Sequence, residues 1–221
     1  MKKNAFSLVK LSIVLIIIGL LIAGVSSGSK LIEQAKINKA VSDLRDYKGS
    51  YLTFILTYDK IPGDMDDAVS FFGSGTANGD NDTQIETSAA DTSESLLAWE
   101  HMALSEVISG SYSQAATGFH TAGTTGPKSS LSATCYAPVY DTTAAVNGLQ
   151  VGTNAATVDC SGTTSLLALT VYKIDNKIDD GVGNSGDITA TSAATDCQSS
   201  GTYDLDSTTK GCAFHYSFGD N

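Results

Sequence analysis

The sequence predicts an α+β protein: one very long N-terminal α-helix, an apolar transmembrane half followed by an amphipathic half, packed on a small C-terminal domain with short helices and an antiparallel sheet. Three observations carry this expectation. The 19 residues from Leu11 to Ser29 contain no charge. An apolar stripe at helical spacing follows them, with no proline before Pro62. Beyond Pro62, short helical and strand patterns alternate with runs of Gly, Ser, Thr, Asn and Asp.

Charge is unevenly placed along the 221 residues. Residues 1–48 hold eight of the 13 basic side chains and only Glu33, Asp43 and Asp46 on the acidic side, which leaves five basic and 21 acidic residues after Lys48. A domain this acidic repels phosphate backbones, so no nucleic acid is expected as a partner. Charged residues make up 17% of the chain, below the roughly 25% usual in soluble proteins.

The uncharged run is membrane-length, about 28 Å as a helix. Lys2, Lys3 and Lys10 all precede it, which places the N-terminus in the cytoplasm and the rest outside. Such a segment reads as a secretory signal cut somewhere between Ala23 and Ser29, as a plain membrane anchor, or as the first half of a helix that continues. Continuation is what the next residues predict. Ala35, Asn38, Val41, Leu44, Tyr47 or Lys48, Tyr51, Phe54 or Ile55, and Tyr58 recur at steps of three or four, with one polar lapse at Asn38. One helix from Ser7 to Tyr58 would be about 75 Å long.

Pro62 and Gly63 then turn the chain, and Asp64 is the expected cap of a short helix that brings Phe71 and Phe72 under the stem. Gly73 to Thr92 reads as loop. Ser93 or Ser95 opens a helix through Ile108, with Leu96, Trp99, Met102 or Ala103, and Glu106 or Val107 on one face; His101 within it reads as a solvated or hydrogen-bonded side chain. Gly110 to Ser132 is weakly patterned. Strands are expected at Tyr136–Tyr140, Gly148–Val151, Ile188–Thr191 and Ala213–Phe218, and a helix over Thr164–Ile178 that stops at Gly181. The sheet is expected to lie against the amphipathic half of the stem.

Cys135, Cys160, Cys197 and Cys212 form an even set without a Cys-x-x-Cys pair, which favours disulfides over zinc. Neighbours in sequence suggest Cys135 with Cys160 and Cys197 with Cys212, although four cysteines allow three pairings. Asp175, Asn176, Asp179, Asp180, Asn184 and Asp187 crowd oxygen ligands among glycines and make calcium the one cofactor worth considering, outside EF-hand order. Asn78, Asp80 and Asp82 form a second, equally loose set. Helix-stop and turn chemistry accounts for the same residue types. No nucleophile-elbow, zinc-protease, P-loop or dinucleotide motif occurs, and His101, His120 and His215 are scattered. No catalytic residue is nominated, and the chain is not read as an enzyme.

The stretch Ala5-Phe6-Ser7-Leu8-Val9-Lys10-Leu11-Ser12-Ile13-Val14-Leu15-Ile16-Ile17-Ile18-Gly19 resembles the prepilin leader and helix start of type IV pilins and type II secretion pseudopilins. The resemblance implies a leader of residues 1–5, cleavage by prepilin peptidase between Ala5 and Phe6, and N-methylation of Phe6. It divides the rest into a membrane and filament-core helix (6–29), an amphipathic stem (30–60) and a periplasmic or extracellular domain (61–221). Two positions depart from the family pattern: Ala5 stands where Gly is most common, and Lys10 stands where the family has a Glu thought to pair with a neighbour's amine. A cation at mid-membrane costs roughly 2.5–3.5 kcal/mol, and less near the interface where a lysine snorkels. Lys10 therefore reads either as topology reinforcement or as the mark of a minor or tip subunit. The stretch Pro62-Gly63-Asp64-Met65 with Phe71-Phe72-Gly73 resembles the segment after the helix in prepilin-like proteins, and Cys197 to Cys212 resembles the C-terminal disulfide-bounded region of pilins.

The partners implied are other pilin or pseudopilin subunits, the prepilin peptidase and an inner-membrane assembly platform with its ATPase. The location implied is the bacterial inner membrane, single-pass, and then a periplasmic or extracellular filament. A secreted or membrane-tethered, disulfide-stapled binding or adhesion module is the alternative.

Overall fold

The computed structural model describes residues 8–87, 93–113, 120, 123–131, 135–152, 166–191 and 197–219. Helix α1, Leu8–Tyr58, is one unbroken run of 51 residues, about 76 Å long. Its second half is a stem. Ile37, Ala40, Val41, Leu44, Tyr51 and Phe54 are buried along it, with Tyr47, Ile55 and Tyr58 half-buried beside them. The covered stripe runs through Ile37 and Ala40 rather than through Ala35 and Asn38, which are exposed. That registration removes the polar lapse expected at Asn38, which instead accepts a hydrogen bond from Gln34 on the open side. The buried polar group on the stripe is Asp43, which pairs with Lys39 and accepts from the Tyr136 hydroxyl.

The stem ends at Asp59, whose φ of 54° leaves the helical region, and the chain turns back through Pro62 and Gly63. Gly63 has φ +96°, and a Cβ there would sit 2.4 Å from the Glu94 carbonyl, so glycine lets the turn lie directly on the next long helix. Helix α2, Ala68–Phe72, follows with Asp67 at its N-cap position. Asp64 is not its cap, contrary to the expectation from sequence, because its carboxylate is buried and accepts N–H bonds from Asp82 and Thr83. Phe72 packs against Phe54 and Tyr58, while Phe71 touches Tyr58 edge-on and stays mostly exposed.

Helix α3, Glu94–Leu104, ends before the expected Ile108, and Glu106 has φ +60°. Its residues from Glu94 to Met102 are buried on every side, not along one face. Trp99 donates to the Tyr136 carbonyl at 2.9 Å and meets the Tyr47 ring edge-on at 4.9 Å. Strands β1 (Tyr136–Asp141), β2 (Val146–Val151), β3 (Ile188–Ala190) and β6 (Phe214–Ser217) form one antiparallel sheet in the order β1-β2-β6-β3. Helix α4, Ala168–Ile178, lies between β2 and β3 in sequence and begins later than the expected Thr164, because Leu166 is held in a bridge to Cys212 and Leu167 is extended at the N-cap. A two-stranded ribbon of β4 (Gln198–Ser199) and β5 (Thr202–Tyr203) completes the described elements.

One sheet face looks at the stem. Tyr136 and Phe218 carry it, with the Phe218 ring stacked on Tyr51 at 4.1 Å and the Tyr136 ring edge-on to Tyr47 at 5.3 Å. Charged groups pin the rest of the joint: Lys173 of α4 reaches Glu33 at 2.8 Å, Arg45 donates to the Lys177 carbonyl, and Lys48 reaches both Asp187 and the Ser217 carbonyl. Cys197 is disulfide-bonded to Cys212 with their Cα atoms 4.9 Å apart. Cys135 is also disulfide-bonded, and Cys160 lies outside the described residues.

Candidate functional site

The first half of α1 is the most unusual surface on the molecule. From Val9 to Ile32 its large apolar side chains are 46% to 73% exposed, and none touches the globular domain closely enough to be buried. This helix is long and apolar enough to cross a membrane. Water would oppose such a surface, since roughly 25 cal/mol is at stake per Å² of apolar area. Gly19, Gly24 and Gly28 have open space where a Cβ would be. Nothing among the described residues packs against them, and glycine within a helix costs about 0.5–1 kcal/mol relative to alanine. Lys10 sits exposed in the first turn of this helix, while Ala5 and Phe6 lie outside the described residues.

Two acidic groups gather in the domain. Asp175, Asp179 and Asp180 come together, as the oxygen-rich segment led one to expect. Their oxygens already have donors: Tyr203 and the Gly181 amide on Asp175, the Ile188 amide on Asp179, and the Val182 amide and Ser185 hydroxyl on Asp180. Asp187 instead faces Lys48 on the stem, and the Asn184 side chain packs over Gly201. These three carboxylates offer a hard cation oxygen donors, yet the segment is also complete as a hydrogen-bonded turn.

The second group joins Asp80 and Asp82 to Asp64 on one side, and Asp80 to Glu86 and Glu94 on the other. Asn78 is not aimed there; it accepts from the Val69 amide. Glu94 accepts from the amides of Asp80 and Glu86, so two buried carboxylates staple the loop 79–86 over the head of α3. Burial pushes Asp64 up to about 6 and Glu94 up to about 7, against the downward pull of those amide bonds. Sequence reasoning missed Asp64, Glu86 and Glu94 as a set, because no local pattern links positions so far apart in the chain.

The histidines are separate and buried. Gly63 donates to His101 Nδ1 at 3.0 Å, so Nε2 carries the proton and faces the Ala77 carbonyl at 3.1 Å. Of the two states expected from sequence His101 takes the hydrogen-bonded one, and it is buried rather than solvated, held neutral by burial with its pKa lowered to about 4. His120 bonds Ser95 at 2.7 Å, and its Nδ1 meets no partner among the described residues. His215 lies on the sheet face away from the stem, 3.9 Å from Asp141. The Ser95–His120 pair is buried, and His101 and His215 face the carbonyls of Ala77 and Val139.

Comparison with known proteins finds no matching family model, no matching curated protein and no matching solved structure.

Proposed function

We propose that this chain is a structural subunit, major or minor, of a type IV pilus or a type II secretion-type pseudopilus. The observation that carries the reading is the continuity of α1: the apolar half that is long enough to cross a membrane runs without a break into the stripe that forms the domain's core. A removable signal peptide has no reason to be one rigid body with the fold it precedes. An apolar helix that leaves lipid must enter another dry environment, and a bundle of like helices supplies one. Open space at Gly19, Gly24 and Gly28 fits the close helix approach such a bundle uses.

On this reading the precursor sits in the bacterial inner membrane with Lys2, Lys3 and Lys10 holding its amino end in the cytoplasm. Prepilin peptidase cuts between Ala5 and Phe6, and Phe6 is N-methylated. The platform and its ATPase then draw the stem into the filament, with the acidic domain outward in the periplasm or beyond the cell. The test is the N-terminal sequence and intact mass of the protein taken from membranes of its native host. A chain that begins at Phe6 and is heavier by one methyl group supports the reading. A soluble chain beginning after Ala23 overturns it in favour of an exported binding or adhesion module.

A further inference from the structure

The sheet face turned away from the stem carries a cleft of about 850 Å³, within the range of small-molecule sites. We propose that this cleft binds a neutral saccharide. The inference is independent of how the chain is processed or assembled. The cleft crosses the whole sheet, from the segment 84–87 beside β1, over the β1–β2 hairpin, to Thr189 and Thr191 at β3.

Its floor mixes buried apolar Ile85 and Val139 with two buried polar side chains. Gln150 and His215 are almost wholly buried there. Burying amide and imidazole groups is unfavourable unless each is hydrogen-bonded, and the chain fixes both in place. Gln150 donates to the Thr191 hydroxyl at 2.7 Å, which sets the amide and leaves its carbonyl oxygen and second N–H uncommitted among the described residues. The His215 ring lies across β2 at Gly148, where a Cβ would stand 2.5 Å from Nε2, so only glycine admits the ring in this position. Its Nδ1 is 3.9 Å from the Asp141 carboxylate at the hairpin end and its Nε2 is 3.5 Å from the Val139 carbonyl, so the fold sets the orientation of the ring in the cleft wall.

The chemistry of the lining selects the ligand class. The described lining residues include Glu86 and Asp141 but no lysine or arginine, so phosphate, sulfate and carboxylate ligands are repelled, as they are by the domain's net acidity. An amine would be drawn only to those two carboxylates, and Glu86 is exposed. The Gln150 amide and the threonine hydroxyls beside it are neutral and both donate and accept. Hydroxyls, amides and an imidazole arranged in this way match a ligand whose surface is itself a lattice of hydroxyls.

The test uses the full chain in dodecylphosphocholine micelles, because glycoside detergents would compete for the site. Cellotriose, mannotriose and chitotriose are titrated in turn while the imidazole protons of the three histidines are followed by NMR. The expected result is a saturable shift at His215 with at least one trisaccharide, with His101 and His120 unmoved. Thr191→Val and Gln150→Ala should each weaken that binding roughly tenfold, measured at a temperature where circular dichroism shows each variant fully folded. The proposal is overturned if no trisaccharide moves His215, if both variants bind as the native chain does, or if spermidine moves His215 while the trisaccharides are silent.

Discussion

His120 shows what burial does to a titratable side chain with little help from neighbours. Its pKa is lowered to about 4 by burial, as is that of His101. A group that binds its proton less readily when folded favours folding at neutral pH, and that contribution is lost as the pH falls from about 6.5 towards about 4. Asp64 and Glu94 run the other way. Raised to about 6 and about 7, they favour folding while protonated, and that contribution is lost as the pH rises from about 4 to about 7. The two pairs oppose each other in the same window, so the native protein's stability hides both. Removing one member exposes the imbalance: the stability of His120→Leu relative to the native chain should rise by on the order of 2–3 kcal/mol between pH ~7.5 and pH ~4.5. Urea melts of both proteins at the two pH values check this. A difference that does not change with pH would mean that His120 is not held neutral by the fold.

Helix α1 is the element most legible in the sequence, because a long uncharged run and a stripe at steps of three or four leave few alternatives. It ends at Tyr58 as expected, and the expected start at Ser7 lies outside the described residues. The stripe's upper end was misplaced at Ala35 and Asn38 because periodicity gives the face of a helix but not where a partner begins to cover it. The one-sided reading of α3 failed for a related reason: Glu94, Ser95 and His101 are polar yet buried, each satisfied by loop atoms that lie far away in sequence. The ribbon β4–β5 has two residues per strand, too short to leave a pattern. The outer-face cleft was equally invisible, since it arises from register across four strands. At this scale the stem glycines carry a prediction. If the proposed filament role holds, Gly24→Leu should leave membrane insertion and the domain's melting temperature unchanged while lowering the yield of sheared filaments severalfold, because the added side chain would hold neighbouring helices apart. Undiminished filament yield would remove close approach as the reason for glycine there.

For the whole molecule, the division between an uncovered and a covered half of one helix makes the domain separable. The first buried stem residue is Ile37 and the first charged link to the domain is Glu33 with Lys173. A chain beginning at Lys30 should therefore be monomeric without detergent, with the melting temperature of the full-length domain, as sedimentation and calorimetry would show. Aggregation of that fragment would mean that the apolar half contributes to the fold itself. Lys10 belongs to the same scale because its role lies between subunits. If it marks a minor or tip position, Lys10→Glu should raise incorporation into filaments at equal membrane levels, read by immunoblot of sheared fractions. No change would leave it a topology determinant.

The strand order has a further consequence for how the protein is made. β6 is the last strand of the sheet to be synthesised, yet it lies inside it, between β2 and β3. β3 has no other hydrogen-bonded neighbour in the sheet, and Tyr51 waits for Phe218 just beyond β6. A nascent chain thus cannot close its sheet until residues 214–218 have been made. The half-made domain presents β2 as a vacant edge until then, and that interval is when a chaperone would have most to protect.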